Sequence, residues 1–383
     1  LVNFVSVKAS DPNTVELKLS APYANLLWVL TGRPGLVFDK DAKYDAKTQA
    51  IGSGPYTVEK FVTNSSITLK ANPNYWGANK AKTDTVVVRY FTDDNAAVNA
   101  LKSGDVQVLA PISENLAEPF TKDSDHYVVK AGDDTDKFVL AFNGTGAKTS
   151  DKRVRQAFAM AIDRQSLLTA LGYNEQPVYG FIPYAQPSLT DSTKSYREVA
   201  GDMFEEDVEA AQALMAEAGY PNGEGFPTVE IVIQNDTAQS LMAQILGEFW
   251  KQNLGVDYTI QPYESSVYWS ELDAGNFSID RNGYTVDYVD PSANLRIFVT
   301  GANAYENGWD DETYDQMYSD MLLLTDDAER EAAIIELEEY LVDAMPAIPI
   351  YAYENQYLVK PNIEGVVCNP IGHYYFEYAY FTE

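Results

Sequence analysis

The chain has 383 residues, 45% of them hydrophobic and 13% aromatic, enough to bury a sizeable core spread over two or three lobes. It carries 27 basic against 57 acidic residues, and the net charge of −30 lies in the second half: residues 1–200 hold 22 of each sign, residues 201–383 hold 5 basic and 35 acidic. A field of that sign excludes nucleic acid and anionic membrane surfaces as partners; it would draw in cationic ligands at low ionic strength, or serve simply as a solvated acidic surface.

The opening residues predict two short strands around the turn Asp11 to Asn13, then VELKLSAPYANLLWVL, whose alternation gives way to an apolar run, and then a polar linker, DKDAKYDAKTQA, from Asp39 to Ala50. Gly52 to Gly77 reads as paired strands with Gly54-Pro55 and Asn72-Pro73 as breakers. Thr85 to Tyr90 is a β-branched run fit for a buried strand; Asp93 or Asp94 caps a short helix with Ala97, Val98 and Leu101 on one side, and Val106 to Leu109 completes a βαβ pattern. Lys137 to Asn143 is a further strand. From Lys152, Val154, Phe158 and Ile162 recur at helical spacing, and Leu168 continues the apolar side until Gly172. Helices are predicted over Glu205 to Ala218 and Ala238 to Leu254, strands over Val229 to Ile233 and Val256 to Gln261, an alternation that makes an α/β lobe. Asp310 to Leu324 and Asp326 to Leu341 read as two helices ended by Pro346 and Pro349, and Ile350 to Glu383 as an aromatic, strand-like tail.

Other chemistry finds little footing. Cys368 is the lone cysteine, which excludes an internal disulfide, and it reads as a small buried apolar residue. His126 and His373 have no partner at ligand spacing, so no metal, no cofactor and no Ser/His/Asp triad is expected. Gly301 to Gly308 lacks the ending of a phosphate-binding loop. No run of eighteen apolar residues occurs, and the opening LVNFVSVKAS has neither a basic nor an apolar leader region, so no spanning or targeting segment is expected within these residues. The tyrosines at 374, 375, 378 and 380 would suit a carbohydrate platform, though sheet packing accounts for them more simply.

The most informative stretch is DRNGYTVDYVDP, from Asp280 to Pro291. At about 3.3 Å per residue, an extended chain would put Arg281 and Asp287 on one face roughly 20 Å apart, the length of a short peptide. A cation at one end and an anion at the other, joined by backbone able to pair with a guest strand, suits a zwitterionic extended ligand. Two plainer readings stay open: Asp287 and Asp290 cap a helix starting at Ser292, and Arg281 is a surface residue. A glycosidase-like couple of Asp287 with Asp290 is disfavoured, because residues three apart in a turn beside proline seldom face one substrate as acid and base.

Three separated stretches carry a resemblance. They are GSGPYTVEKFVTNSSITLKANPNYWG with VVVRYFTDDNAAVNALKSGDVQV from Gly52 to Val108; DKRVRQAFAMAIDRQSL from Asp151 with ALMAEAGYP from Ala213; and the Asp280 segment with GWDDETYDQM from Gly308, DAER from Asp327 and AMPAIPIYAYENQYLVKPNIEG from Ala344. Spanning nearly the whole chain, they resemble the extracellular solute-binding proteins of oligopeptide and dipeptide ABC transporters, family 5.

The resemblance implies an α/β fold like the periplasmic binding proteins (type II, cluster C), with two α/β lobes joined by a hinge of two crossing strands and an extra lobe largely missing. Mapped here, residues 1–46 would be the tail of the extra lobe, 47–145 with 352–383 lobe one, and 146–351 the other lobe. It implies further residues before Leu1, with a lipid anchor there as the only membrane attachment. Oligopeptide ligands and ABC permease subunits would be the partners of a monomeric periplasmic protein or cell-surface lipoprotein. The carboxylate of Asp287 would receive the ligand α-ammonium, Arg281 the carboxylate of a short peptide, and Gly283, Tyr284 and Thr285 would present backbone groups, with Tyr288 completing the matched motif. The same scaffold binding an oligosaccharide, opine or metal chelate is the alternative within the family; a carboxylate-dependent hydrolase is the alternative outside it.

Overall fold

Aspartates placed just before apolar periodic stretches start most of the helices. The computed structural model describes residues 4–32, 35–37, 41, 52–112, 114–121, 127–142, 149–173, 175–302 and 308–382; the expected linker lies almost wholly outside them, as does His126. In chain order the elements are β1 (Phe4–Asp11), β2 (Thr14–Leu19), α1 (Leu26–Thr31), β3 (Tyr56–Val62), β4 (Ser66–Ala71), β5 (Thr85–Arg89), α2 (Asp94–Ser103), β6 (Val108–Leu109), α3 (Glu114–Thr121) and β7 (Val128–Phe142). There follow α4 (Lys152–Met160), α5 (Arg164–Leu171), β8 (Gln176–Pro177), α6 (Tyr196–Ala200), α7 (Val208–Glu217), β9 (Val229–Gln234), α8 (Thr237–Leu254), β10 (Tyr258–Tyr263), α9 (Ser265–Asp273) and β11 (Ile279–Gly283). The chain closes with α10 (Glu312–Met321), α11 (Asp327–Ala344), β12 (Ala347–Val359) and the short strands β13 (Ile363–Glu364), β14 (Val367–Cys368), β15 (Tyr374–Tyr375) and β16 (Tyr380–Phe381). Asp93, Asp151, Asp163, Asp207, Asp236, Asp311 and Asp326 each accept a backbone N–H in the first turn of the helix they precede, so part of the acid excess is spent on N-caps, where a carboxylate also meets the positive end of the helix dipole.

The chain divides into two compact units, Leu1–Val29 with Asp134–Tyr353, and Leu30–Asp133 with Glu354–Glu383. The boundaries expected from the resemblance were at 46, 145 and 351. The chain crosses from one unit to the other within α1, β7 and β12.

In the larger unit the strands run in the order β10-β9-β11-β7-β12, with β8 pairing β12. β9 is parallel to both β10 and β11, while β11 is antiparallel to β7, from Ile279 opposite Phe142 to Gly283 opposite Phe138. Helices cover this sheet. Trp250 of α8 is fully buried, stacks at 4.9 Å on Phe158 of α4 and donates its indole N–H to the Phe158 carbonyl at 3.0 Å, so the largest side chain of the core leaves no polar atom unpaired.

The single helix expected from Lys152 is two helices. Asp163 caps α5, and the fully buried Arg164 donates to the carbonyls of Ala159 and Ile162, which the end of α4 leaves without helical partners, and to Pro349. Arg155 does the same for Thr149, Ser150, Ala344 and Met345. These guanidiniums bridge segments nearly two hundred residues apart, beyond the reach of any local pattern.

In the smaller unit β3, β4 and β5 form an antiparallel sheet, its hairpin turned at Asn64 with φ of 55°. The βαβ expectation fails here. β5 is an edge strand of this sheet, with Val87 53% exposed, whereas β6 pairs with Leu358 and Val359 at the end of β12. A run of valines fixes extended backbone but not which sheet receives it. Val98 and Leu101 of α2 pack with Ile112, Phe120, Tyr127 and Leu358 in a separate small core. Cys368 is half-buried rather than enclosed.

Candidate ligand-binding site

β11 lies between β9 and β7 in the larger unit's sheet, so the segment singled out by sequence begins on rigid backbone. The Asp280 carboxyl is fully buried, and burial pushes its pKa up to about 8 against the hydrogen bond it accepts from Asn282 at 3.1 Å. Arg281, next along the strand, is partly buried: its guanidinium donates to the Tyr353 hydroxyl at 2.7 Å, and its carbonyl accepts from the Tyr268 hydroxyl. Burial opposes its charge, but the oxygens of Tyr353, Tyr351 and Tyr268 outweigh that and hold the pKa above the ordinary arginine value.

The ladder ends at Gly283, whose N–H is taken by the Asn282 side chain at 2.9 Å. Residues 284–290 belong to no regular element, and the chain bends at 287–289. Burial alternates along this segment: Val286 and Tyr288 are buried while Thr285 and Asp287 are exposed, as successive residues of extended backbone facing opposite sides would be. Tyr284 is half-buried, and burial, assisted by nearby Asp287, raises its hydroxyl pKa. The Asp287 side chain is 75% exposed, with the Arg296 guanidinium 3.8 Å away. Tyr288 points inward, its hydroxyl accepting from Asn25 at 3.1 Å, and burial raises its pKa far above the ordinary tyrosine value.

Of the two aspartates expected as caps, only Asp290 serves. It accepts the Ser292 N–H at 3.0 Å and opens a 3-10 turn over Pro291–Asn294. With Asp290 1% exposed and Asp287 open to solvent, the two carboxylates do not face a common substrate.

Sequence reasoning missed what holds this turn. Arg330 of α11, Asn25 and Ser292 join Asp290 in a buried polar cluster: Arg330 donates to Asp290 at 2.7 Å and to Asn25 at 2.6 Å, Ser292 donates to Asp290 at 2.6 Å, and Asn25 donates to Ser292 at 2.9 Å. A signal did exist. Arg330 is the only basic residue of α11, and one of five among the last 183 residues, each of which the structure sets beside an anion or an aromatic ring: Lys251 by Asp257, Arg281 by Tyr353, Arg296 by Asp287, Arg330 by Asp290, Lys360 over Tyr127.

A family model, "Bacterial extracellular solute-binding proteins, family 5 Middle", matches residues 2–306. The chain belongs to this family. Membership places it among solute-binding proteins and outside the enzymes. The dipeptide-binding protein DppE of Bacillus subtilis is 27% identical over 98% of this chain and 69% of its own length. A solved structure of the Escherichia coli murein tripeptide binding protein MppA superposes with a TM-score of 0.76 at 25% identity, covering 98% of this chain and 74% of that one, so the mixed α/β periplasmic-binding-protein fold is shared. Not every relative is named for peptides: YgiS of Escherichia coli, 25% identical over 99% of this chain and 71% of its own, is described as a probable deoxycholate-binding periplasmic protein. Among the described residues no group of three or more His, Cys, Asp or Glu side chains could hold a metal ion, and no helix is long and apolar enough to cross a membrane.

Proposed function

We propose that this family member captures oligopeptides outside the cytoplasm and delivers them to the permease of an ABC importer, with Asp287 receiving the ligand's α-ammonium. The observation that carries the reading is the state of Asp287: an exposed carboxylate on a turn whose neighbours on both sides are buried. Such a group is accessible and held between buried neighbours, which is what recognition of a free amine requires. Arg281 is assigned the α-carboxylate of short ligands, and the backbone of Gly283, where the β11 ladder ends, and of Tyr284 and Thr285 beyond it is assigned to pairing with the ligand's main chain. Tyr288 contributes from behind, since its hydroxyl is engaged with Asn25. Main-chain pairing is indifferent to side chains, so broad tolerance of peptide sequence follows. Relatives named for a dipeptide and for a murein tripeptide support this class of ligand.

The test is calorimetry with a tripeptide, its N-acetylated form and deoxycholate, against the natural chain and Asp287→Asn. A charge-assisted contact of about 1.5–3 kcal/mol corresponds to roughly 10- to 150-fold in affinity. Acetylation should cost that much in the natural chain and little in the Asp287→Asn variant. Equal affinities for free and acetylated tripeptide would remove Asp287 from its role; tight deoxycholate binding with none for either peptide would replace the peptide reading by that of the YgiS-like relative.

A further inference from the structure

Resting on the proposed role of Asp287, we infer that the buried cluster of Arg330, Asp290, Asn25 and Ser292 sets the geometry of ligand-amine recognition, making Arg330 and Asn25 positioning residues for a carboxylate neither of them touches. Three chain segments meet in the cluster, around residues 25, 288–292 and 330. Each contact bears on the Asp287 turn. Asn25 holds the hydroxyl of Tyr288, the residue next to Asp287, and Arg330 holds Asp290, three residues on, whose own N–H donates to the Tyr288 carbonyl at 3.2 Å. Asp290 caps the 3-10 turn Pro291–Asn294, which contains Ser292 and leads to Arg296, so the same cluster bears on the cation standing 3.8 Å from Asp287.

Stability alone is a poor account of this arrangement. A buried ion pair gains little over apolar residues of the same volume, because desolvating two charges offsets most of their attraction. What directional charged bonds supply, and apolar packing does not, is a single orientation for the backbone they grip. Glu331, the next residue on α11, gives an internal comparison. It is also buried, yet its partners are the N–H of Leu189 and the hydroxyl of Thr190, on another loop altogether.

The experiment measures the preference for free over N-acetylated tripeptide, by calorimetry, in the natural chain and in Asn25→Ala, Arg330→Met and Glu331→Gln, with the melting temperature of each recorded. Asn25→Ala is the milder change and retains the ion pair, so it reports even if Arg330→Met fails to fold. The preference should fall at least tenfold in Asn25→Ala and in Arg330→Met, and stay within twofold in Glu331→Gln at a comparable loss of melting temperature. If all three lower the melting temperature and all keep the preference, the cluster is structural only and the inference is overturned while the role of Asp287 stands. If Glu331→Gln loses the preference equally, general destabilisation explains the effect, and the inference is again overturned. A natural chain with no preference, or an Asp287→Asn variant that retains it, refutes the underlying reading of Asp287 and this inference with it.

Discussion

Glu338 offers the sharpest test of how this chain handles buried charge. The residue is fully buried on α11, and its two oxygens do different work: Oε1 accepts the backbone N–H groups of Phe181 and Ile182 at 2.6 and 2.9 Å, while Oε2 pairs with the buried guanidinium of Arg197. Glu338→Gln separates them. The amide oxygen can still receive both N–H groups, but the amide nitrogen now meets Arg197 donor to donor, leaving the arginine charged, buried and short of its counter-ion. Breaking one side of a buried pair costs about 3–5 kcal/mol. At roughly 2–4 °C per kcal/mol for a domain of 150–250 residues, melting should fall by about 6–20 °C. In Arg197→Met/Glu338→Gln no charge is stranded, and most of the loss should be regained. Urea unfolding at pH 7, followed by circular dichroism and by tryptophan fluorescence, gives both free energies. A loss below about 1 kcal/mol in the single variant, or a double variant no more stable than the single, would refute the claim that an unpaired buried charge dominates the cost.

Asp280 sets a pH dependence of known sign. Its folded pKa of about 8 lies above the ordinary carboxylate value, so between pH 4 and 8 the native state keeps a proton the unfolded chain has released. Its contribution is therefore greatest below about pH 4 and is lost as pH rises towards 8, and Asp280→Asn should flatten the fall in unfolding free energy across that window; an unchanged slope would count against a neutral Asp280. Gly247 on α8 faces the Tyr258 ring, where an added Cβ would lie 2.3 Å from the nearest ring carbon. Gly247→Ala should thus cost about 1–3 kcal/mol despite its better helix propensity, and a variant more stable than the natural chain would show that the ring simply moves aside.

The elements legible in the sequence were those fixed by interactions within a few residues. Asp236 and Gly255 bound α8, Asp326 opens α11, and the turn at Asp11 to Asn13 folds β1 onto β2, because an N-cap, a left-handed C-cap and a hairpin turn each close over four residues or fewer. Around the ligand segment the same locality marked an extended run leading into a proline-stopped turn and the aspartates in it, but left open which aspartate would cap and which would face water. That choice waited on Asn25 and Arg330, hundreds and tens of residues away, which bind Asp290 and Tyr288 inward and so turn Asp287 out. The sheet assignments of β5 and β6, the break between α4 and α5, and the buried pairs at Arg164, Arg197 and Glu338 belong to the same class. Periodicity and capping determined where chain segments become helix or strand. Only tertiary packing could decide partners and facing, since a buried polar group is settled by whatever distant donor or acceptor reaches it once water is gone.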